Sequence, residues 1–139
     1  MLNSLLLSLP FMTEARAALV IEAFWPMVKA AVLVSVPLAL FSFLIGMVIA
    51  VAVALVRVTP VRGFGHRLLL FFVRFYISII RGTPMLVQIS VVFYGLPAIG
   101  IFIDPIPAAI IGFSLNIGAY ASETVRAAIA SVPKGQWEA

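Results

Sequence analysis

Between Ala30 and Val56 the chain has no ionisable residue, a run of 27 positions bounded by Lys29 and Arg57. As a helix rising about 1.5 Å per residue it is roughly 40 Å long, more than the ~30 Å hydrocarbon core of a bilayer. Such a segment spans a membrane with some tilt or overhang, and lipid-embedded helices tolerate Pro37 and Gly46 within it. A soluble fold is excluded by composition. Apolar residues make up 64% of the 139 positions and charged residues 10%, against roughly 45–50% and about 25% in an average soluble domain. A chain this short cannot enclose that much hydrocarbon and still cover its surface. The pI near 10.1 does not indicate nucleic acid, because the basic residues are few and gather in one stretch between apolar segments. With no cysteine and only His66 as histidine, disulfides, thiolate chemistry and a histidine metal cluster are excluded, and no metal or cofactor is expected.

The remaining punctuation predicts three spans. Residues 1–27 read as an extracytoplasmic lead-in, amphipathic or loosely ordered; Met1 to Ser4 lacks the basic residues a secretory signal needs. Trp25 and Trp137 read as interface anchors. Arg57 to Arg67 reads as a loop, with Pro60, Gly63 and Gly65 breaking it and Arg57, Arg62 and Arg67 placing it in the cytoplasm. Leu68 to Ile80 is expected as an interfacial or entry helix, with Arg74 and Arg81 snorkelling to headgroups. Pro84 cannot donate to the preceding turn and pushes Thr83 towards an extended conformation, so a break is expected at Gly82 to Pro84. A membrane helix from Met85 to about Leu96 then follows. Pro97 to Pro107 reads as an outer turn, and Ile106 to about Ala130 as the third span, returning the chain to the cytoplasm beside Arg126 and Lys134. The N-terminus is expected outside.

Chemistry has few places to sit. The two lysines, Lys29 and Lys134, fit no phosphate loop. The chain is therefore not expected to hydrolyse a nucleotide by that route or to be an enzyme, and any energy coupling must come from a partner or an ion gradient. Asn116, Tyr120 and Glu123 fall at i, i+4 and i+7, with Gly112 one turn earlier, which puts them on one helical face. An ionisable group in a span costs at least about 2.5 kcal/mol and so faces the bundle interior or water. Two readings stay open: a stripe lining a solute path, or an interhelical contact in which Glu123 pairs with Arg126. Gln88 and Tyr94 beside the break invite the same choice, since broken helices in transporters present freed backbone groups to polar substrates.

The strings Arg81-Gly82-Thr83-Pro84-Met85-Leu86-Val87-Gln88 and Phe93-Tyr94-Gly95-Leu96-Pro97 resemble the signature of the polar amino acid permease family of ABC importers. So does Leu115-Asn116-Ile117-Gly118-Ala119-Tyr120-Ala121-Ser122-Glu123-Thr124-Val125-Arg126-Ala127-Ala128-Ile129, continuing through Val132-Pro133-Lys134-Gly135-Gln136-Trp137-Glu138-Ala139. The likeness covers about Met27 to the end. Arg74-Phe75-Tyr76-Ile77-Ser78-Ile79, Ile103-Asp104-Pro105-Ile106-Pro107 and Glu123-Thr124-Val125-Arg126-Ala127-Ala128-Ile129 look most like the L-cystine permeases. The resemblance implies an all-α type I ABC importer permease domain over residues 28–139 in a bacterial cytoplasmic membrane. It also implies a second permease subunit, two cytoplasmic ATPases, and an extracytoplasmic solute-binding protein. Gln88, Asn116, Tyr120 and Glu123 are the expected pathway residues. Lys134, Gly135, Gln136, Trp137, Glu138 and Ala139 would open the ATPase-docking loop, whose later residues and remaining spans are expected beyond the chain's end, so that this chain inserts without holding its ATPase.

From the residues alone, two other classes stay in play: a fragment of an ion-coupled secondary transporter, and a non-transporting membrane scaffold.

Overall fold

The computed structural model describes residues 13–133, and every element among them is helical. The chain divides into two compact units, residues 1–37 and 38–139. In the first, α1 (Glu14–Ala30) starts where the Thr13 hydroxyl accepts from the Arg16 amide at 3.4 Å. Glu14 in its first turn and Lys29 in its last oppose the helix dipole with the favourable signs. The lead-in is therefore helical from Glu14 onward rather than loosely ordered. Alanines, Glu14 and Glu22 are good helix formers, no glycine interrupts them, and Leu19, Phe24, Trp25 and Met27 stand exposed along it.

A π-helical turn, Ala31–Ser35, precedes Pro37, and a second, Val91–Gly95, precedes Pro97. In both, the proline follows the π turn by two residues. A proline lacks the N–H that would bond back and crowds the carbonyl four residues earlier. The widened turn holds that carbonyl, at Leu33 or Phe93, and absorbs the misfit.

The other elements are α2 (Val36–Val58), α3 (Gly63–Gly82), α4 (Met85–Ser90) leading into the second π turn, a 3₁₀ turn (Pro97–Ile99), and α5 (Pro105–Ser131). The expected break at Gly82 to Pro84 is present: α3 stops at Gly82, and Thr83 and Pro84 are extended with ψ of 144° and 138°. The basic loop is shorter than its Pro and Gly content suggested. Arg57 and Val58 end α2 and Gly63 already begins α3, leaving residues 59–62 between the helices. Gly63 makes so tight a connection possible, because its φ of +78° is strained for any residue with a side chain. The outer turn likewise ends at Asp104, since Pro105 and Pro107 suit the first turn of α5, where an N–H has no intrahelical partner.

Two stretches are long and apolar enough to cross a membrane, Glu14–Val58 and Gly63–Gly82, with Met85–Ile99 as a shorter apolar stretch. At 27 residues α5 has the length too, but it carries the polar residues Asn116, Tyr120, Ser122, Glu123 and Arg126. Small residues make the interior. On α2 the buried positions are Ser42, Gly46, Ala50 and Ala54, each four residues from the last. On α5 they include Ala108, Gly112, Gly118, Ala119 and Ser122. Large apolar side chains instead face outward, among them Phe41, Leu44, Val48, Phe71 and Phe75. A water-soluble core has the opposite arrangement. Close backbone approach through small residues is how helices associate in lipid, which offers no hydrophobic force between them.

The approach is tight. A Cβ on Gly46 would lie 2.6 Å from Ile117 Cγ2, one on Gly118 2.6 Å from Ile49 Cγ2, and one on Gly112 2.9 Å from Ile89 Cγ1. The Ser114 hydroxyl donates to the Ser42 carbonyl at 3.3 Å, and the Tyr76 hydroxyl donates to the Leu115 carbonyl at 2.6 Å, fixing α3 against α5.

Candidate functional site

A helix that stops inside an apolar bundle leaves its last carbonyls without partners. At the end of α3 two side chains, Gln88 and Thr83, meet such groups. The buried Gln88, on the first turn of α4, donates through Nε2 to the Ile80 carbonyl at 2.6 Å, with the Thr83 carbonyl at 2.9 Å and Thr83 Oγ1 at 3.1 Å also in reach. Thr83 Oγ1 donates in turn to the Ile79 carbonyl at 2.9 Å. The remaining function of Gln88, Oε1, accepts from Asn116 Nδ2 at 3.2 Å. A chain of hydrogen bonds thus ties the broken end of α3, through α4, to the middle of α5. Beside it lies a largely apolar cavity of about 270 Å³, with Thr83, Gln88, Gly112 and Leu115 in its wall.

One turn beyond Asn116, Tyr120 is 48% exposed and the Arg81 guanidinium lies 5.3 Å from its ring centroid. A cation over an aromatic face is attracted by the ring quadrupole. Among the described residues no carboxylate pairs with Arg81. At the end of the stripe, Glu123 Oε2 accepts from Arg57 Nη1, and Oε1 accepts from Arg126 Nε at 3.0 Å and Nη2 at 2.5 Å.

The residues singled out in sequence therefore occupy three places. Gln88 and Asn116 are joined. Tyr120 and Glu123 share their helical face but engage different partners, Arg81 in one case and Arg57 with Arg126 in the other. The contact between Glu123 and Arg126 exists as the spacing allowed. Sequence reasoning missed Arg57 as the second partner, Tyr76 as the tie between α3 and α5, and Arg81 as the cover of Tyr120. Arg57 did carry a signal, being the first charge after the 27-residue run; nothing in the sequence pointed across the 66 positions to Glu123. Lys134, Gly135, Gln136, Trp137, Glu138 and Ala139, with the other expected anchor at Trp137, lie outside the described residues.

No group of three or more His, Cys, Asp or Glu side chains is placed to hold a metal ion among the described residues. The polar groups at the break and along α5 are thus the amides of Gln88 and Asn116, the phenol of Tyr120 and the guanidinium of Arg81.

Residues 46–139 match the family of binding-protein-dependent transport system inner membrane components. The L-cystine transport system permease protein TcyB of Bacillus subtilis is 47% identical over 135 residues, covering 95% of this chain and 56% of that protein. The arginine transport system permease protein ArtQ of the same organism is 34% identical over 115 residues, covering 82% of this chain and 50% of that protein. A solved structure described as the crystal structure of an amino acid ABC transporter with histidines superposes with a TM-score of 0.73 at 28% identity, covering 86% of this chain and 54% of that one. The chain spans about half the length of the curated relatives it matches. With a helical bundle packed through small residues, a helix broken at the arginine–glycine–threonine–proline string and these matches, the chain belongs to the family of binding-protein-dependent transport system inner membrane components.

Proposed function

We propose that this chain is part of the permease subunit of an ABC importer that forms the path of a polar amino acid, cystine first among them, across a bacterial cytoplasmic membrane. The observation that carries the reading is the 47% identity with the L-cystine permease, which runs through the helix break and α5 alike and covers 95% of the chain. The likeness to an arginine permease supports the class of solute and leaves its identity to experiment. On this reading the complete subunit pairs with a second permease, two cytoplasmic ATPases drive the pair, and an extracytoplasmic binding protein delivers the solute. The N-terminus lies outside, residues 59–62 face the cytoplasm, and residues 134–139 open the ATPase-docking loop.

The pathway reading of Gln88, Asn116, Tyr120 and Glu123 divides by role. Asn116 and Tyr120 retain hydrogen-bonding functions for a solute. Gln88 is engaged at both ends and acts as a positioning residue that ties the broken end of α3 to α4 and α5. Glu123 holds the ends of α2 and α5 together.

The test is uptake by the complete permease, co-expressed with its ATPase and binding protein in vesicles. Labelled L-cystine is expected to accumulate only with ATP and to resist competition by excess L-arginine. Accumulation without ATP, driven by an ion gradient, would overturn the importer reading. ATP-dependent uptake of L-arginine in preference to L-cystine would overturn the cystine assignment.

A further inference from the structure

The contacts between α2 and α5 rise together in number: Ser42 with Ser114, Gly46 with Ile117, Ile49 with Gly118, and Arg57 with Glu123. The two helices run parallel, so their C-terminal turns lie at the same end of the bundle. Between those turns opens a cavity of about 560 Å³. Its polar wall is Arg57, Thr59 and Arg126, and its apolar wall includes Val58, Ile129, Ala130 and Val132.

Two guanidiniums here share one carboxylate. Of the five N–H groups on a guanidinium, Arg57 gives one to Glu123 and Arg126 gives two. Both arginines retain donors, and the trio carries a net charge of +1. Glu123 Oε1 accepts twice from Arg126 and Oε2 once from Arg57, so its charge is directed at the two guanidiniums. The depth of the site is set by sequence: Arg57 is the first charge after the 27-residue run from Ala30 to Val56, which places it where hydrocarbon gives way to headgroups.

We propose that this opening binds the phosphate-bearing headgroup of an anionic membrane lipid, with the phosphate on the free donors of Arg57 and Arg126 and the start of the acyl chains against Val58, Ile129 and Ala130. A phosphate offers several acceptor oxygens to the planar donor forks. Basic recesses between membrane helices at headgroup level suit such lipids. The aliphatic half of the wall selects the lipid over a free phosphate ion, which would gain nothing from it. The site does not depend on which solute the permease carries.

The experiment titrates phosphatidylglycerol against phosphatidylcholine on the complete permease complex in detergent, with bound lipid counted by native mass spectrometry. The wild-type complex is expected to retain phosphatidylglycerol preferentially. Arg126→Gln keeps the pair between Arg57 and Glu123 and removes one charge, so it should weaken phosphatidylglycerol about fivefold. Ala130→Trp fills the opening from its exposed wall and keeps all three charges of the cluster. It should abolish the preference while leaving the unfolding temperature in lipid-free detergent unchanged. Wild-type retention of phosphatidylglycerol in Ala130→Trp and in Arg126→Gln would overturn the proposal. Displacement of the lipid by glycerol 3-phosphate at equal concentration would also overturn it, because the site would then read soluble phosphate.

Discussion

Replacing Gln88 with leucine keeps the side chain's approximate volume but removes every polar contact that Gln88 makes at the helix break. The Ile80 and Thr83 carbonyls lose a donor and the Asn116 amide loses its acceptor. A buried polar group left without a partner costs about 1–3 kcal/mol. Gln88→Leu is therefore expected to lower the unfolding temperature of the complete permease clearly, whereas Asn116→Leu, which frees only one lone pair of Gln88, should lower it less. Thermal unfolding of both variants in detergent checks the order, and equal stabilities would show that the network does not hold the break. Glu123 and Ser122 make a second contrast. Ser122 is fully buried but its hydroxyl bonds only to the Ala119 carbonyl of its own helix, at 2.8 Å, so Ser122→Ala should stay within about 0.5–1 kcal/mol of wild type. Glu123→Gln removes the charge that holds two arginines. Because the three side chains are 21–35% exposed, solvent weakens each pair, and a loss of about 1 kcal/mol is expected. Uptake should fall further in Glu123→Gln than in Ser122→Ala; wild-type uptake in both would make the cluster a structural contact without a part in transport.

At the scale of the helix, glycine positions separate packing from conformation. Gly46 and Gly118 face Ile117 and Ile49 at distances no added carbon can share, whereas a Cβ at Gly95 would meet Val91 at an ordinary 3.6 Å. Gly46→Leu and Gly118→Leu are expected to destabilise the bundle by about 1–3 kcal/mol or more through overpacking, and Gly95→Ala far less; detergent unfolding midpoints would reveal it, and an unchanged midpoint in Gly118→Leu would contradict the close approach of α2 to α5. Such contacts also mark what sequence could and could not disclose. The span around Ala30 to Val56 was legible because absence of charge is local, and the break at Gly82 to Pro84 because proline acts on its own neighbours. The shortened loop after Arg57 was not, since Pro60 and Gly63 mark a break without fixing the residue at which α2 ends. The alignment of Asn116, Tyr120 and Glu123 on one face followed from helical period, but their separate partners depend on how α3 and α2 cross α5, which no spacing encodes.

For the second unit as a whole, the parallel course of α2 and α5 requires the chain between them to return once through the bundle. The return is shared. Arg81, at the end of α3, stands over Tyr120; Gln88 reaches Asn116; Ile89 meets Gly112; and Phe93 and Tyr94 line a recess with Pro105 and Ala108. Contacts along α4 thus climb α5 towards its N-terminus. Although α3 has the length of a span, it delivers the chain only to the level of Tyr120, and the short α4 with its π turn completes the crossing. Val61 follows the C-terminal end of α2 and Phe102 precedes the N-terminal end of α5, so they must lie at opposite ends of the bundle. Both are exposed, at 52% and 82%, and neither needs the left-handed backbone that would make cysteine at Gly63 or Gly100 strained. Single cysteines at Val61 and Phe102 in the complete permease are therefore expected to react with a membrane-impermeant thiol reagent from opposite sides. Arg57, Arg62 and Arg67 lie around it, so under the proposed orientation Val61 is expected on the cytoplasmic side. Intact cells should label Phe102→Cys alone, and inverted vesicles Val61→Cys alone. Labelling of both from one side would mean that the chain crosses an even number of times between them, which the parallel pairing of α2 with α5 forbids.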